Sequence, residues 1–312
     1  MDYVTLGGKK ELKVSKIGMG LWQASNAWNA DEENVIEAVG VSKENGINFV
    51  DTAEAYGNGN SEKVLGRALK KYGRENFFVA TKVYGAHLRY DELQRAAEAS
   101  IKRLGVDRID LYQIHWPDPW EQIPMSQTFR AMKKLHEEGK IRAIGVSNFA
   151  VRDIEEARGI LGDVPIVSNQ VRYNLLQRNI EEEVIPYCKK HNISIIAWSP
   201  LAQGVLTGKY NPGNIPRGDV REGNELFAPK NLEAVKEVLS LLRSLGEKYS
   251  KTPAQIALNW LLSKKDVIPI PGAKNIKQAK ENADSAAFKL TESEISEMES
   301  LSSEALIDYL PQ

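Results

Sequence analysis

The chain contains little cysteine, almost no net charge and no long apolar run. Its 312 residues include one cysteine, Cys188, which excludes an intramolecular disulfide and favours a reducing compartment. A formal charge of -1 gives no electrostatic reason to bind nucleic acid or an anionic membrane. No apolar run could span a bilayer, and the first residues lack a signal-peptide pattern. We therefore expect one cytoplasmic domain over residues 1–312.

Four segments repeat one pattern, in which a charged helix-forming stretch precedes a glycine, an apolar run and a final polar residue. The helix-forming stretches include Ser61–Tyr72 and Asp91–Leu104, where Ser or Asp is expected to cap the start and glycine the end. The apolar runs alternate little, which is typical of strands in a parallel sheet covered by helices. The glycines and final polar residues are Gly46 and Asp51, Gly73 and Lys82, Gly105 and His115, and Gly139 and Asn148.

Eight such strands predict a (β/α)8 barrel. They cover residues 17–22, 47–51, 77–82, 109–115, 141–148, 166–170, 193–198 and 267–271. A period of roughly 25 to 30 residues before one long insertion matches the βα unit of such a barrel. A doubly wound open sheet is the main alternative, but the number of strands and the convergence of successive strand ends favour the closed ring. Residues 3–6 and 12–14, joined by Gly7-Gly8, predict an N-terminal hairpin that closes the bottom of the barrel.

Asp51, Tyr56, Lys82 and His115 predict a site for proton transfer. A phenol with an ordinary pKa near 10 transfers protons poorly at neutral pH, and an adjacent ammonium favours its phenolate. At an effective dielectric constant of ~20, opposite charges ~4 Å apart attract by about 4 kcal/mol, so Lys82 is expected to lower the pKa of Tyr56. Asp51 is the expected counterion of Lys82. Because no other metal ligand neighbours His115, we expect no metal and a histidine that orients an oxygen.

These segments resemble the aldo-keto reductases. The resemblance rests on residues 46–57, 81–82, 113–116 and 144–149, and it extends from the hairpin to residues 270–272 and beyond. It implies the same barrel and a catalytic tetrad of Asp51, Tyr56, Lys82 and His115. The implied activity is a reversible hydride transfer from NADPH, or more weakly NADH, to an aldehyde or ketone, with Tyr56 as general acid.

The resemblance also implies a cofactor site without a Rossmann domain. Residues 57–62 offer two glycines of a dinucleotide fingerprint, but Glu62 stands in the place of the third. The residues implied at the nicotinamide are Ser147, Asn148, Gln170 and Trp198. Those expected at the pyrophosphate are Ser199, Pro200, Leu201, Gln203 and Gly204. Those implied at the adenosine end are Gly272, Ala273, Lys274, Gln278, Glu281 and Asn282.

Lys274 bears on the choice between NADPH and NADH. A cation near the ribose 2′ position favours a phosphate there, so we expect a preference for NADPH. Gln278 replaces an arginine that many members of the family carry, which weakens that expectation.

The substrate is expected to lie among aromatic side chains, as in most small-molecule pockets. The predicted pocket residues are Trp22, Tyr84 and Trp116, with Trp120 in the same loop as Trp116. Residues 204–231 exceed an ordinary connection and are expected to form a lid over the cofactor.

Two other functions compete with carbonyl reduction. The first is an NADPH-binding regulatory subunit of the same fold with little turnover, against which the intact tetrad argues. The second is an unrelated barrel enzyme such as an isomerase, which would not need a cofactor segment at Lys274. The expected partner is a small carbonyl compound, and a monomer is favoured because no self-association stripe is evident.

Overall fold

Eight parallel strands form the centre of the computed structural model, which describes residues 1–120 and 122–305. The strands are β3 (Met19–Gly20), β4 (Phe49–Asp51), β5 (Phe78–Val83), β6 (Ile109–Ile114), β7 (Ile141–Ser147), β8 (Ile166–Arg172), β9 (Ser194–Trp198) and β10 (Val267–Pro269). An antiparallel hairpin of β1 (Tyr3–Thr5) and β2 (Lys13–Ser15) precedes them. Each strand predicted for the sheet overlaps an observed strand, so the prediction of eight parallel strands is confirmed.

Helices connect the strands and cover the outside of the sheet. They are α1 (Glu32–Glu44), α2 (Asn60–Tyr72), α3 (Tyr90–Leu104), α4 (Met125–Glu137), α5 (Val151–Leu161), α6 (Val184–Lys190), α7 (Pro229–Ala234), α8 (Lys236–Tyr249), α9 (Pro253–Ser263), α10 (Ile276–Asp284) and α11 (Glu292–Glu304). Their apolar faces pack on the outward side chains of the strands and form the larger of the two apolar clusters found among the described residues.

The first and last strands close the sheet into a ring. The backbone N–H of Gly18 donates to the carbonyl of Pro269 at 2.9 Å, and Gly20 pairs in parallel with Gly272. A Cβ on Gly20 would approach the Ile270 carbonyl oxygen to 2.8 Å, so this closure needs glycine. The closed (β/α)8 barrel is therefore confirmed, and the open sheet is excluded.

The first barrel strand is shorter than expected. Leu21 leaves the extended region of backbone space (φ -110°, ψ 20°), and Trp22 begins a 3-10 turn, Trp22–Ala24. Trp22 thus lies beyond the strand, in a turn beside its end, and not at the strand tip itself.

The expected helix starts were wrong for α2 and α3, whereas the expected ends are confirmed. Gly59 and Arg89 occupy the N-cap positions, not a serine or an aspartate. The Ser61 hydroxyl instead donates to the Leu21 carbonyl at 2.7 Å, which ties α2 to the chain beside β3. Glycines follow both helices with positive φ, and Gly105 (φ 64°) has the left-handed conformation of a usual helix end.

The hairpin closes one end of the barrel. Three residues of the hairpin region, Leu6, Leu12 and Val14, pack on apolar side chains inside the ring. Those side chains belong to Phe49, Phe78, Ala80, Leu111, Ala143, Val167, Ile196, Ile268 and Ile270. The backbone N–H of Gly7 donates to the hydroxyl of Ser194, which begins β9, so the closed end is the amino-terminal one, as predicted. Within the described residues, no helix is long and apolar enough to cross a membrane.

Candidate active site

The carboxyl ends of the strands surround one cavity of about 700 Å³, within the range of roughly 300–1,000 Å³ typical of ligand sites. Asp51 ends β4, Lys82 lies near the end of β5, and His115 follows β6. Ser147 ends β7, and Trp198 ends β9. Parallel strands bring these ends to one edge, so residues far apart in sequence meet.

Lys82 is the centre of the site. It is fully buried, and its Nζ lies 2.6 Å from Asp51 Oδ1, 2.8 Å from the Thr52 carbonyl and 3.3 Å from the Tyr56 hydroxyl. An ammonium has three donors, so each has an acceptor here. The other two contacts therefore hold the Lys82 ammonium in place beside the Tyr56 hydroxyl.

The neighbours of Lys82 keep it charged. Burial alone would lower the pKa of Lys82, but the Asp51 carboxylate, with Tyr56, more than offsets this and raises the pKa above its ordinary value. The predicted role of Asp51 as counterion thus has a physical basis in the 2.6 Å contact.

The expected lowering of the pKa of Tyr56 was wrong. Burial raises the pKa of Tyr56 above its ordinary value, and the Lys82 ammonium offsets only part of that rise. Asp51 adds to the rise because a second anion beside it is unfavourable. The phenol therefore keeps its proton at neutral pH, and the ammonium acts on the phenolate only as a proton leaves.

His115 is neutral. Burial, with the nearby Lys82 ammonium, lowers the pKa of His115 to about 3. Its ring meets that of Tyr56 edge-on, with centroids 5.5 Å apart. Among the described residues, its buried Nδ1 has no hydrogen-bond partner. His115 thus offers an uncharged imidazole beside the phenol, a group suited to hydrogen bonding with a ligand oxygen.

Two glutamines complete the surroundings of Asp51. Its Oδ2 accepts from the side-chain nitrogens of Gln170 at 2.8 Å and Gln113 at 3.1 Å. Gln113 was not singled out in the sequence, because it lies within an apolar strand. Gln113 lies two residues after Leu111 in β6 and two residues before His115, so the three share one face of the strand. A polar residue on the inward face of an apolar strand was therefore the available signal.

Hydrogen bonds also connect the residues predicted at the nicotinamide. Asn148 Nδ2 donates to the His115 carbonyl at 3.0 Å, and Trp198 Nε1 donates to Asn148 Oδ1 at 3.0 Å. The Ser147 hydroxyl donates to the Gln170 carbonyl at 2.8 Å. These side chains line the cavity together with Gln170.

The segment after β9 has an unusual backbone. Ser199, Ala202 and Gln203 have φ of 49°, 47° and 53°, in the left-handed region that residues other than glycine seldom adopt. Such strain is frequent in ligand-binding loops. The predicted pyrophosphate residues Ser199, Pro200, Leu201, Gln203 and Gly204 all line the cavity.

At the predicted adenosine end, the Lys274 side chain contacts Trp28. Its ammonium donates to the Trp28 carbonyl at 2.7 Å and lies 5.0 Å from the centroid of that indole ring. Burial lowers the pKa of Lys274, with Asp219 partly opposing. Gln278 Oε1 accepts from the Lys274 backbone at 2.8 Å, so it supports this turn.

The other residues predicted at the adenosine end differ in position. Gly272, Glu281 and Asn282 line the cavity, whereas Ala273 is fully buried and does not line it. The cavity wall also contains residues not predicted from the sequence, including Gln23, Trp28, Lys209, Arg221, Gln255 and Lys277.

The predicted substrate residues divide into two groups. Trp22 and Trp116 line the cavity, and the Trp22 ring lies 6.3 Å from that of Tyr56. Tyr84 and Trp120 are 50% and 76% exposed and lie outside the cavity. In the described part of the chain, no group of three or more His, Cys, Asp or Glu side chains could hold a metal ion.

Comparisons with known proteins agree with this geometry. The sequence model of the Aldo/keto reductase family matches residues 16–303. An uncharacterized oxidoreductase of Mycobacterium tuberculosis is 38% identical over 296 residues, 93% of this chain and 90% of that protein. The NADH-specific methylglyoxal reductase of Escherichia coli is 32% identical over 312 residues, 92% of this chain and 94% of that protein.

Solved structures give the same result. The glycerol dehydrogenase of Gluconobacter oxydans is 30% identical, with a TM-score of 0.88 and coverage of 99% of this chain and 98% of that one. An aldo-keto reductase of Klebsiella pneumoniae in complex with NADPH is 29% identical, with a TM-score of 0.76 and coverage of 96% and 95%.

Proposed function

The chain belongs to the aldo/keto reductase family of oxidoreductases, and we propose that it reduces the carbonyl group of an aldehyde or ketone with a nicotinamide cofactor, reversibly. The observation that carries this proposal is the Lys82 ammonium, held between the Asp51 carboxylate and the Tyr56 hydroxyl at 2.6 and 3.3 Å. An isomerase barrel would not need this arrangement beside a cofactor-sized cavity.

Tyr56 is proposed as the general acid. Its pKa is raised by burial, so the phenol holds a proton to give to a carbonyl oxygen. The Lys82 ammonium stabilises the phenolate that remains, and Asp51 keeps that ammonium charged. Neutral His115 orients the oxygen by a hydrogen bond. In the oxidation direction, the Tyr56 phenolate accepts the alcohol proton.

The residues around the cavity fit a nicotinamide dinucleotide. NADPH, when bound, would supply the hydride. Ser147, Asn148 and Gln170 would hold the nicotinamide amide, and Trp198 would stack on the ring. The segment Ser199–Gly204 would hold the pyrophosphate through backbone N–H groups.

We propose NADPH as the preferred cofactor, with NADH weaker. Four cations, Lys209, Arg221, Lys274 and Lys277, line the cavity, and they favour a cofactor with an additional phosphate. The complex of the Klebsiella relative with NADPH supports this choice, whereas the Escherichia relative is described as NADH-specific. Because Lys274 already contacts Trp28, the preference is proposed to depend on several cations.

Residues 204–231 are proposed to act as a lid. The backbone of Val220 donates to the Ala27 carbonyl at 3.0 Å, and Asn29 Nδ2 donates to the Gly218 carbonyl at 2.6 Å. The Arg221 guanidinium lies 5.1 Å from the centroid of the Trp28 ring. These contacts bridge the cavity from the long segment to the loop after β3.

The test is turnover by the purified protein. NADPH and NADH are each mixed with methylglyoxal, aromatic aldehydes and aliphatic ketones, and loss of reduced-nicotinamide absorbance is followed. We expect turnover that Tyr56→Phe abolishes while cofactor binding is retained. Tight NADPH binding without turnover of any carbonyl would favour the regulatory subunit, and wild-type rates in Tyr56→Phe would refute the proposed general acid.

A further inference from the structure

Gln113 contacts the tetrad from a position that no ligand can reach. It lies in β6, level with Lys82 in β5 and Gly145 in β7, and its side chain is fully buried. Its Nε2 donates to Asp51 Oδ2 at 3.1 Å, and its Oε1 accepts from Gln170 Nε2 at 3.3 Å. Gln170 Nε2 also donates to the same carboxylate oxygen at 2.8 Å. The two carboxamides and Asp51 therefore form a closed triangle of hydrogen bonds.

The carboxylate determines the orientation of both amides. An ionised carboxylate only accepts hydrogen bonds, so Gln113 and Gln170 must both turn their N–H groups toward Asp51. The Gln113 oxygen then faces the second N–H of Gln170 and accepts it. Gln170 is thus held in one orientation, in which its amide nitrogen donates to Asp51 and to Gln113.

The neighbouring strand leaves room for this arrangement. A Cβ on Gly145 would approach Gln113 Cγ to 3.0 Å and the Ser168 hydroxyl to 2.6 Å. Gly145 has no positive φ, so its lack of a side chain is explained by this space and not by backbone conformation. The space in β7 thus allows a large polar side chain to cross the barrel interior at the level of Lys82.

We propose that Gln113 is a positioning residue that links Asp51 of the tetrad to Gln170 of the nicotinamide site. This inference rests on the proposed function. Without Gln113, Asp51 Oδ2 keeps one donor of two, and Gln170 loses the acceptor that fixes its amide. Asp51 could then rotate away from Lys82, and the cofactor amide would meet a less ordered partner.

The first test is Gln113→Leu, which keeps the size and removes both hydrogen bonds. We expect kcat for carbonyl reduction to fall by about tenfold or more, because a hydrogen bond to a buried charged group is lost. The KM for the carbonyl compound should stay within about threefold, since Gln113 lies outside the substrate's reach. The Kd for NADPH, measured by fluorescence quenching, should rise by a few-fold at most.

A second variant, Gln113→Glu, keeps the shape and gives a distinct pH signature. The charged or titratable groups facing position 113 are Asp51 on β4, Lys82 on β5 and, beyond it, Tyr56 and His115; β7 and β8 present Gly145, Ser168 and Gln170 there. An ionised Glu cannot donate to Asp51, but a protonated one can. The activity of Gln113→Glu relative to wild type should therefore rise as the pH falls.

Asn259→Leu is the matched control. Asn259 is a buried carboxamide on α9 that bonds the backbone at residues 285, 288 and 290. Its loss should lower the Tm and leave the kcat of the folded protein unchanged. With this outcome, a fall in Tm alone cannot account for a fall of kcat in Gln113→Leu.

The outcomes distinguish a failure of the proposed carbonyl reduction from a failure of the role of Gln113. A wild type without turnover of any carbonyl would overturn the proposed function. An active wild type whose kcat, KM and NADPH Kd are all unchanged in Gln113→Leu would overturn the role of Gln113 alone. If Gln113→Leu does not fold, Gln113→Glu decides, because a pH-independent ratio to wild type contradicts the proposed link.

Discussion

Replacing Lys82 by methionine removes the one cation that contacts the Tyr56 phenol within residues 1–120 and 122–305. At 3.3 Å and an effective dielectric constant of ~20, the ammonium and a full phenolate attract by about 5 kcal/mol. Asp51 lies 2.6 Å from the same ammonium and opposes part of this field. If Asp51 cancels about half of this attraction, the ammonium stabilises the phenolate by ~2.5 kcal/mol. Lys82→Met loses that stabilisation, which corresponds to roughly a 70-fold fall in kcat for carbonyl reduction.

The pH profile of alcohol oxidation gives a second readout of Lys82→Met. Oxidation needs the Tyr56 phenolate, so its rate rises with pH through the pKa of the phenol. Without the ammonium, that pKa rises further, because burial and Asp51 act unopposed. The rising limb should therefore move to higher pH by more than about one pH unit.

Stability must be separated from catalysis in this variant. Lys82→Met leaves the buried Asp51 without its cation, which typically costs about 3–5 kcal/mol. The double variant Lys82→Met with Asp51→Asn removes both charges and should regain most of that stability without regaining turnover. A Lys82→Met enzyme with the wild-type kcat and an unmoved limb would refute the role assigned to the ammonium.

Because the pKa of His115 is about 3, kcat/KM for carbonyl reduction should show no limb near pH 6.5; a limb there that His115→Gln abolishes would contradict a neutral imidazole. Lys274→Ala should lower the ratio of kcat/KM for NADPH to that for NADH by a few-fold up to about tenfold, and an unchanged ratio would remove Lys274 from the preference. Saturating NADPH should slow proteolytic cleavage within residues 204–231, and unchanged cleavage would argue against a lid.

The barrel and the placement of the tetrad were predictable because both depend on local pattern. Glycines mark the helix ends, apolar runs mark the strands, and a closed parallel ring brings successive strand ends together. Asp51, Lys82 and His115 lie at or beside strand ends, so their meeting follows from the strand count.

Other properties depend on distances that the sequence does not contain. The pKa of Tyr56 rises because burial outweighs one cation, and the extent of burial is a property of the assembled cavity. The same holds for Lys274, whose contact with the Trp28 carbonyl joins residues 246 positions apart. The exposure of Tyr84 reflects the direction of its loop, which no residue pattern indicates.

The join between Gly20 and Gly272 makes the wall of the cavity depend on both ends of the chain. Trp22 and Lys274 become neighbours of one ligand only after the last strand has docked beside the first. A nascent polypeptide that ends before residue 267 would have the tetrad segments but neither the last strand nor the part of the cavity wall between residues 270 and 282. Affinity for the dinucleotide during synthesis would consequently increase only once the last strand has closed the ring.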